Sequence, residues 1–411
     1  MTVDSSNQPK RRLLVVTSMF PRWADDSEPG FVFELSRRLT AGFDVRVLAP
    51  HARGAAATEV MDGVEVVRYR YAPESFETLA YGGGIVPKLR KQPWKWLLVP
   101  FFLFGQYLAI RRELKCWRPD AIHAHWIIPQ GVIAAIVCGS RKRPVLITTA
   151  HGTDVFALNG RLLRRVKRFV LDRSDAVTVV SNALREVVSC FVTDVGKIRV
   201  EPMGVDLKHR FTLDAESKRS HHEILFVGRL AEIKGLRYLL DAVATRLLKR
   251  YPDVSIVIVG FGPEEAALRA QAKELGIEDR VTFLGPVAQS ALPALYRRAS
   301  VFVAPFVRGR YGDQEGLGLV LVEAIGCACP VVASALPGVR DVVGAYTQCL
   351  VEPGNSSVLA DAIAGVLDDP NAAARLNNEL RDHVLVKFDW TAVAQRYQQL
   401  LGSAIQGRTI A

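Results

Sequence analysis

Short runs dense in Val and Ile alternate with helix-patterned stretches along the whole chain, and this alternation constrains the fold more than any other feature. The runs lie at 13–18, 45–50, 64–71, 121–125, 145–150, 176–181 and 198–202, then at 223–228, 254–260, 281–285, 301–306, 330–334 and 348–352. Most are continuously apolar rather than alternating, which is the mark of strands covered on both faces, as in parallel sheets with helices between them. The chain has 411 residues, too many for one ordinary core, so two domains are expected. The run of strands breaks at EPMGVDLKHRFTLDAESKRSHH, residues 201–222, a polar segment that reads as an inter-domain linker. The pattern therefore predicts an α/β protein of two doubly wound domains, 1–204 and 205–389, with ligands at the carboxyl ends of the strands, in the cleft between domains. Pattern alone does not say where the last amphipathic stretch, WTAVAQRYQQLL, packs.

Composition narrows the function classes. The six cysteines are scattered; Cys327 and Cys329 form the only close pair, and no second Cys/His cluster completes a metal site. Four of the six lie in apolar or small-residue contexts and read as buried thiols, so a cytoplasmic compartment is expected. The polar start MTVDSSNQPKRR and the short LLVVTS after it do not make a signal-peptide core. The nearest approach to a spanning segment, Trp94–Ile110, is short and interrupted by Pro100, Gly105 and Gln106. Residues 1–200 carry 30 Lys and Arg against 18 Asp and Glu, a net of +12, while residues 201–411 carry 23 against 24. Such asymmetry suits nucleic acid or an anionic membrane surface. No zinc pattern, RNP-like stretch or clear helix-turn-helix supports nucleic acid.

Five loops carry candidate chemistry. In FVGRLAEIKGLRYLL a strand ends at Gly228, and Arg229 and Lys234 follow, with Gly235 before a helical pattern. Two cations at a strand's carboxyl end and beside a helix start suit a diphosphate, although either alone is equally a charge of a solvated turn. In IVGFGPEEAALRA, Gly260 and Gly262 form a G-x-G, but Glu265 stands where a third glycine would complete a dinucleotide fingerprint. These glycines are read as letting backbone approach a nucleotide base. In DQEGLGLVLVEAIG, Glu315 precedes a buried-looking helix, Gly316, Leu317 and Gly318 form its N-terminal approach, and Glu323 lies within it. Free N–H groups there can face a phosphate or sugar oxygen, and the two acids can accept ligand hydroxyls. The plainer alternative is a helix-start charge and a paired buried acid. TTAHGTDVFAL sets His151 after a strand, facing the cleft, and FPRWADDSEPGFVFELSRRL places Gly30 before a helix start, where backbone could approach phosphate.

Together these loops resemble the retaining glycosyltransferases of family 4, over nearly the whole chain. The most specific element is E-x7-E, here Glu315 and Glu323 around GLGLVLV, followed by EAIGCACPVVAS; the second is GRLAEIKG. HAHWIIPQG, HGTDV, PMGVDL and the late FDW fit as well. The first loop departs from the family by lacking a Gly-Gly pair and keeping only Gly30, and Cys327-Ala328-Cys329 stands where the family often has A-x-G. The start resembles members that build exopolysaccharides and cell-wall polymers.

The resemblance implies a GT-B fold, two Rossmann-like domains facing a central cleft, with the helix from about 390 to 411 crossing back to the first domain. It implies a nucleotide-diphosphate sugar, UDP- or GDP-linked, as donor and no divalent metal, in keeping with the lack of a D-x-D signature. Arg229 and Lys234 would bind the diphosphate, Glu315 the donor sugar, Glu323 the ribose, and His151 would orient the sugar from the other domain. The first domain would hold the acceptor. A lipid-linked acceptor would bring that domain, with its positive excess, onto the inner face of the membrane through the basic apolar stretches 88–107 and 161–173; alternatively 97–110 is a buried helix and the cations a solvated face. A nucleotide-sugar epimerase, a phosphorylase on the same plan, or a non-catalytic nucleotide-sugar-binding protein are the alternatives; E-x7-E together with GRL…KG argues against the epimerase.

Overall fold

A computed structural model describes residues 10–410 apart from residues 25, 27, 29, 83, 140–143, 157–159, 215 and 311. The polar N-terminal segment 1–9 lies outside the described residues.

The Val/Ile runs form two sheets. The first holds β1 (Arg11–Val16), β2 (Phe43–Pro50), β3 (Thr58–Met61), β4 (Val64–Tyr69), β5 (Ala121–His125), β6 (Val145–Ala150), β7 (Ala176–Val179) and β8 (Ile198–Val200), in the order β3-β4-β2-β1-β5-β6-β7-β8. The second holds β9 (Glu223–Val227), β10 (Ser255–Val259), β11 (Val281–Gly285), β12 (Val301–Ala304), β13 (Val331–Ser334) and β14 (Leu350–Val351), in the order β11-β10-β9-β12-β13-β14. Strands β5, β6, β7, β12 and β13 are buried at every position, so even the polar residues they carry, His123, Thr149 and Thr178 among them, lie inside. Every pairing is parallel except β3 with β4. The antiparallel β3 corrects the all-parallel expectation. Its sequence, TEVM, is short and half-exposed, and carries no buried-strand signal.

In each sheet the strand order reverses once, between β1 and β5 in the first and between β9 and β12 in the second. Loops leaving the carboxyl ends of neighbouring strands diverge there and open a crevice. The candidate loops after β6, β9 and β12 all leave these ends.

The segment 201–222 is less of a free linker than its composition suggests. Met203, Val205, Leu207 and Phe211 are buried, and Val205 bridges to Asp389. The Val205 N–H donates to the Phe388 carbonyl (2.9 Å) and the Trp390 N–H to the Val205 carbonyl (3.2 Å). The chain thus passes between the domains twice, side by side. After the second passage, helix Trp390–Ile410 lies on the first sheet's domain. Arg396 pairs with Glu201 (2.7 Å), Gln398 donates to the Arg38 carbonyl (3.3 Å), and Arg408 pairs with Asp175 (2.9 Å).

Helix Val99–Cys116 turns Phe102, Gln106, Ile110 and Glu113 to the interior and leaves Phe101, Phe104 and Leu108 exposed. It is therefore not the wholly buried helix that one reading of 97–110 implied. Among the described residues no helix is long and apolar enough to cross a membrane.

Candidate active site

The crevices of the two sheets merge into one cleft of about 760 Å³, within the range of ligand sites. Its second-domain wall is assembled by close backbone approach. Gly235 has φ +64°, which a glycine adopts without strain, and a Cβ there would overlap the Pro305 carbonyl oxygen. That contact clamps the loop after β9 to the loop after β12. As a result the Lys234 ammonium reaches the Glu315 carboxylate at 2.5 Å and lies 4.5 Å from the centre of the Phe306 ring.

Burial alone would raise the Glu315 pKa. The Lys234 charge and the backbone N–H groups of Leu317 and Gly318 overturn that and hold it below the usual carboxylate range. Glu315 is thus a fixed anion with its charge half-answered. Arg229 lines the cleft beside them; burial lowers its pKa and Glu28, across the cleft, draws it back up. Among the described residues the cleft-lining Arg229 forms no ion pair.

Glu323 sits in helix Leu319–Gly326 and lines the cleft further along. Its carboxylate accepts a hydrogen bond from the buried Tyr296 hydroxyl at 2.9 Å. Burial pushes its pKa up to about 7, against the smaller opposing effects of Tyr296 and Arg210. The E-x7-E pair is therefore two different acids, one ionised and cation-paired, the other poised near neutrality.

The first-domain wall centres on His151, after β6. Its Nε2 lies 3.0 Å from Nδ1 of His125, the last residue of β5, and the two rings stack at 5.2 Å. Phe31 and Trp126 complete the enclosure at 5.1 and 4.7 Å between ring centres. Burial, with a minor contribution from His123, pushes the His151 pKa down to about 3, so the ring is neutral at physiological pH. Asp154 ties the turn together: its carboxylate accepts from the N–H groups of His151 (3.2 Å), Gly152 (3.1 Å) and Ile127 (2.8 Å). Behind this row His123, Thr149, Thr178 and Tyr397 form a buried hydrogen-bonded chain, so the C-terminal helix braces the histidines.

Of the residues singled out in the sequence, Gly30, His151, Arg229, Lys234, Gly260, Glu315, Leu317, Gly318 and Glu323 line this one cleft. Two others do not, and the reasons are steric. A Cβ on Gly262 would overlap the Leu230 carbonyl, so Gly262 serves loop packing rather than approach to a base; Gly260 is similarly pressed on Gly228. Gly316 faces the other domain, where a Cβ would come within 2.7 Å of the His151 carbonyl. The N–H groups of Leu317 and Gly318 also help to hold the Glu315 carboxylate ionised. At Gly30 the space is open, so no packing demand requires a glycine. Sequence reasoning assigned no role to His125, Asp154 or Tyr296. His125 and Asp154 stand within the quoted HAHWIIPQG and HGTDV stretches, but Tyr296 is 27 residues from its partner and no local signal marks it.

Comparison with known proteins agrees with this architecture. Residues 212–383 match the family described as Glycosyl transferases group 1, and residues 31–209 match Glycosyltransferase Family 4. The chain is 28% identical over 424 residues, 96% of this chain and 95% of the relative, to a glycogen synthase of Mycobacterium tuberculosis. It is 32% identical over 267 residues, 62% of this chain and 69% of the relative, to a GDP-mannose-dependent alpha-(1-6)-phosphatidylinositol monomannoside mannosyltransferase of the same organism. Among solved structures, sucrose-phosphate synthase from Thermosynechococcus elongatus superposes with a TM-score of 0.81 at 24% identity, covering 97% of this chain and all of that one. The two facing parallel-sheet domains are a GT-B fold.

Proposed function

The chain belongs to the glycosyltransferases of group 1 and family 4, and from that premise we propose that it moves a sugar, with retention of anomeric configuration, from a UDP- or GDP-linked donor to a lipid-linked glycan acceptor in polysaccharide or glycoconjugate assembly. The observation that carries the reading is the meeting of Arg229, Lys234 and Glu315 at one end of the cleft with His151 opposite. Arg229 and Lys234 take the diphosphate, and their fixed charge offsets what develops as the bond from the anomeric carbon to phosphate oxygen breaks. Lys234 also holds Glu315 ionised beside the sugar hydroxyls. Glu323 takes the ribose hydroxyls, and neutral His151 orients the sugar from the first domain.

Retention without a covalent intermediate fits the carboxylates of the first domain's wall. Glu28 accepts from the Gly82 N–H (2.5 Å), Glu34 pairs with Arg37 (2.8 Å) and Arg38, and Asp154 holds three backbone N–H groups. Each is committed to structure. The acceptor hydroxyl then attacks from the face the phosphate leaves, and its proton passes to the departing phosphate oxygen. The lipid-linked acceptor places the enzyme peripherally on an anionic membrane face, with the net +12 half turned to it. The mannosyltransferase relative, whose named acceptor is a phosphatidylinositol monomannoside, supports that acceptor class.

The test is to incubate the protein with a panel of UDP- and GDP-sugars and lipid acceptors in vesicles. Released nucleotide and the configuration of the new bond are read by NMR. A cognate donor should also stabilise the fold by mass action. If no nucleotide sugar raises the melting temperature and none is turned over, the reading is wrong.

A further inference from the structure

The segment from Leu79 to Ile110 is apolar on two faces at once. Inward, Ile85, Val86 and Leu89 of helix Ile85–Lys91, and Val99, Phe102 and Leu103 of helix 99–116, line one arm of the cleft. Outward, Trp96, Leu97, Phe101 and Phe104 are 59, 73, 61 and 61% exposed, with Trp94 and Leu108 each at 50%. Helical periodicity separates the faces: positions 102, 106, 110 and 113 turn inward, so 101, 104 and 108 emerge opposite. Trp96 belongs to both, since it lines the arm and is more than half exposed. The outer side of a surface helix is ordinarily polar, and a contiguous exposed apolar patch marks a docking surface.

Charge identifies the occupant. No Asp or Glu occurs between Glu77 and Glu113, while Lys88, Arg90, Lys91, Lys95, Arg111 and Arg112 all fall there. Lys91, Arg111 and Arg112 are exposed at the two ends of the aromatic stretch. Apolar rings flanked by cations match an anionic bilayer surface. Helix Arg161–Arg173 repeats the pattern: Leu162 is 72% exposed among arginines and Leu163 lines the cleft.

We infer that Leu97, Phe101 and Phe104 embed in an anionic leaflet and that the arm behind them holds the hydrocarbon chain of the acceptor, drawn from that leaflet past Trp96. The inference rests on the glycosyl-transfer reading and adds to its lipid-linked acceptor an anionic headgroup and a place in the fold for the hydrocarbon chain. Lys88 does not itself line the arm: behind the lining residues of helix Ile85–Lys91 its half-buried ammonium donates to the carbonyls of Thr78 (3.0 Å) and Ala80 (2.9 Å). It shares its field with Arg229 of the other domain, and with Lys95 and Arg22, against Glu28. A headgroup phosphate at the cleft end of the arm meets the field of Arg229, which lines the cleft, with Lys88 behind it.

The experiment uses phosphatidylglycerol carrying a diazirine at the end of its acyl chain, mixed into phosphatidylcholine vesicles. Adducts are mapped by mass spectrometry, and UDP and GDP thermal shifts are read on the same protein. Adducts at Ile85, Val86 or Leu103 are expected. Leu103→Trp, or Val86→Trp should the first not fold, should abolish them without reducing vesicle co-sedimentation. The outer-face triple variant L97E/F101E/F104E should lower co-sedimentation by about tenfold or more while its nucleotide shifts persist. Adducts confined to the outer residues, no co-sedimentation of the wild-type protein at low salt, or undiminished binding of the triple variant would each overturn the inference. Inner adducts without any nucleotide shift would overturn the glycosyl-transfer reading instead and leave the arm as a lipid site.

Discussion

The two walls of the cleft are built on opposite plans. On the donor side, position is set by backbone pressed on backbone, at Gly235 against Pro305, Gly260 against Gly228 and Gly262 against Leu230, and by one tight ion pair, Lys234 with Glu315. On the proposed acceptor side the wall is apolar side chains, most of them on helices Ile85–Lys91 and Val99–Cys116. A wall that grips a diphosphate must hold its charges rigidly, whereas one that receives hydrocarbon needs only volume and apolar surface. The donor wall should therefore fail sharply under small changes and the acceptor wall gradually.

The largest effect is expected at Lys234. Lys234→Ala removes a cation from the leaving group and leaves Glu315 without its partner, so kcat should fall by about 10²–10³. Circular dichroism should show the fold intact. Activity within a few-fold of wild type would break the comparison, since the ion pair would then be only structural.

Next come the glycines. Gly262→Ala drives a methyl onto the Leu230 carbonyl and should cost roughly 1–3 kcal/mol of stability, read as a lower melting temperature. Gly30→Ala enters open space and should change stability by less than about 0.5 kcal/mol. Any rise in donor KM for Gly30→Ala then reports on binding alone. Equal losses of stability at the two positions would refute the assignment of their roles.

These glycines also show where sequence reasoning stops. The sheets were legible because burial on both faces leaves Val/Ile runs that no other arrangement needs, and only β3, short and half-polar, escaped. The cleft was legible because strands that end together bring their following loops together. Which way a loop glycine's missing side chain points was not legible, so Gly262 and Gly316 were read as facing ligand when they face backbone. Nor was Glu315's partner: Lys234 is 81 residues away, and only the clamp at Gly235 brings the two within reach. The double-sided 94–108 segment looked from its pattern like either a buried helix or a membrane element, because period alone does not say that apolar residues on both faces serve different neighbours.

A smaller effect is expected from Glu323. With its pKa near 7, the group is an acid below that pH and a carboxylate above it. The carboxylate accepts from both hydroxyls of a ribose diol; the protonated form has one acceptor site replaced by a donor. Donor KM should therefore be high at acid pH and fall by up to about tenfold as pH rises through about 7, since one lost hydrogen bond is worth on the order of 1 kcal/mol. Glu323→Gln should stay flat, near the acid-side value. A wild-type profile without an inflection there would detach Glu323 from donor binding.

The finest probe is Tyr296→Phe. The hydroxyl donates to the Glu323 carboxylate at 2.9 Å, and this bond favours the charged form against the burial that opposes it. Without it the carboxyl gives up its proton less readily, so the KM inflection should move to higher pH. Loss of one buried hydrogen bond should cost about 1 kcal/mol of stability. In a Tyr296→Phe/Glu323→Gln double variant the pH profile should match that of Glu323→Gln alone, because the hydroxyl acts on donor binding only through the carboxyl it holds. A further change in the double variant would mean that Tyr296 meets the donor itself, and the donor wall would then be held partly by side chains, as the acceptor wall is.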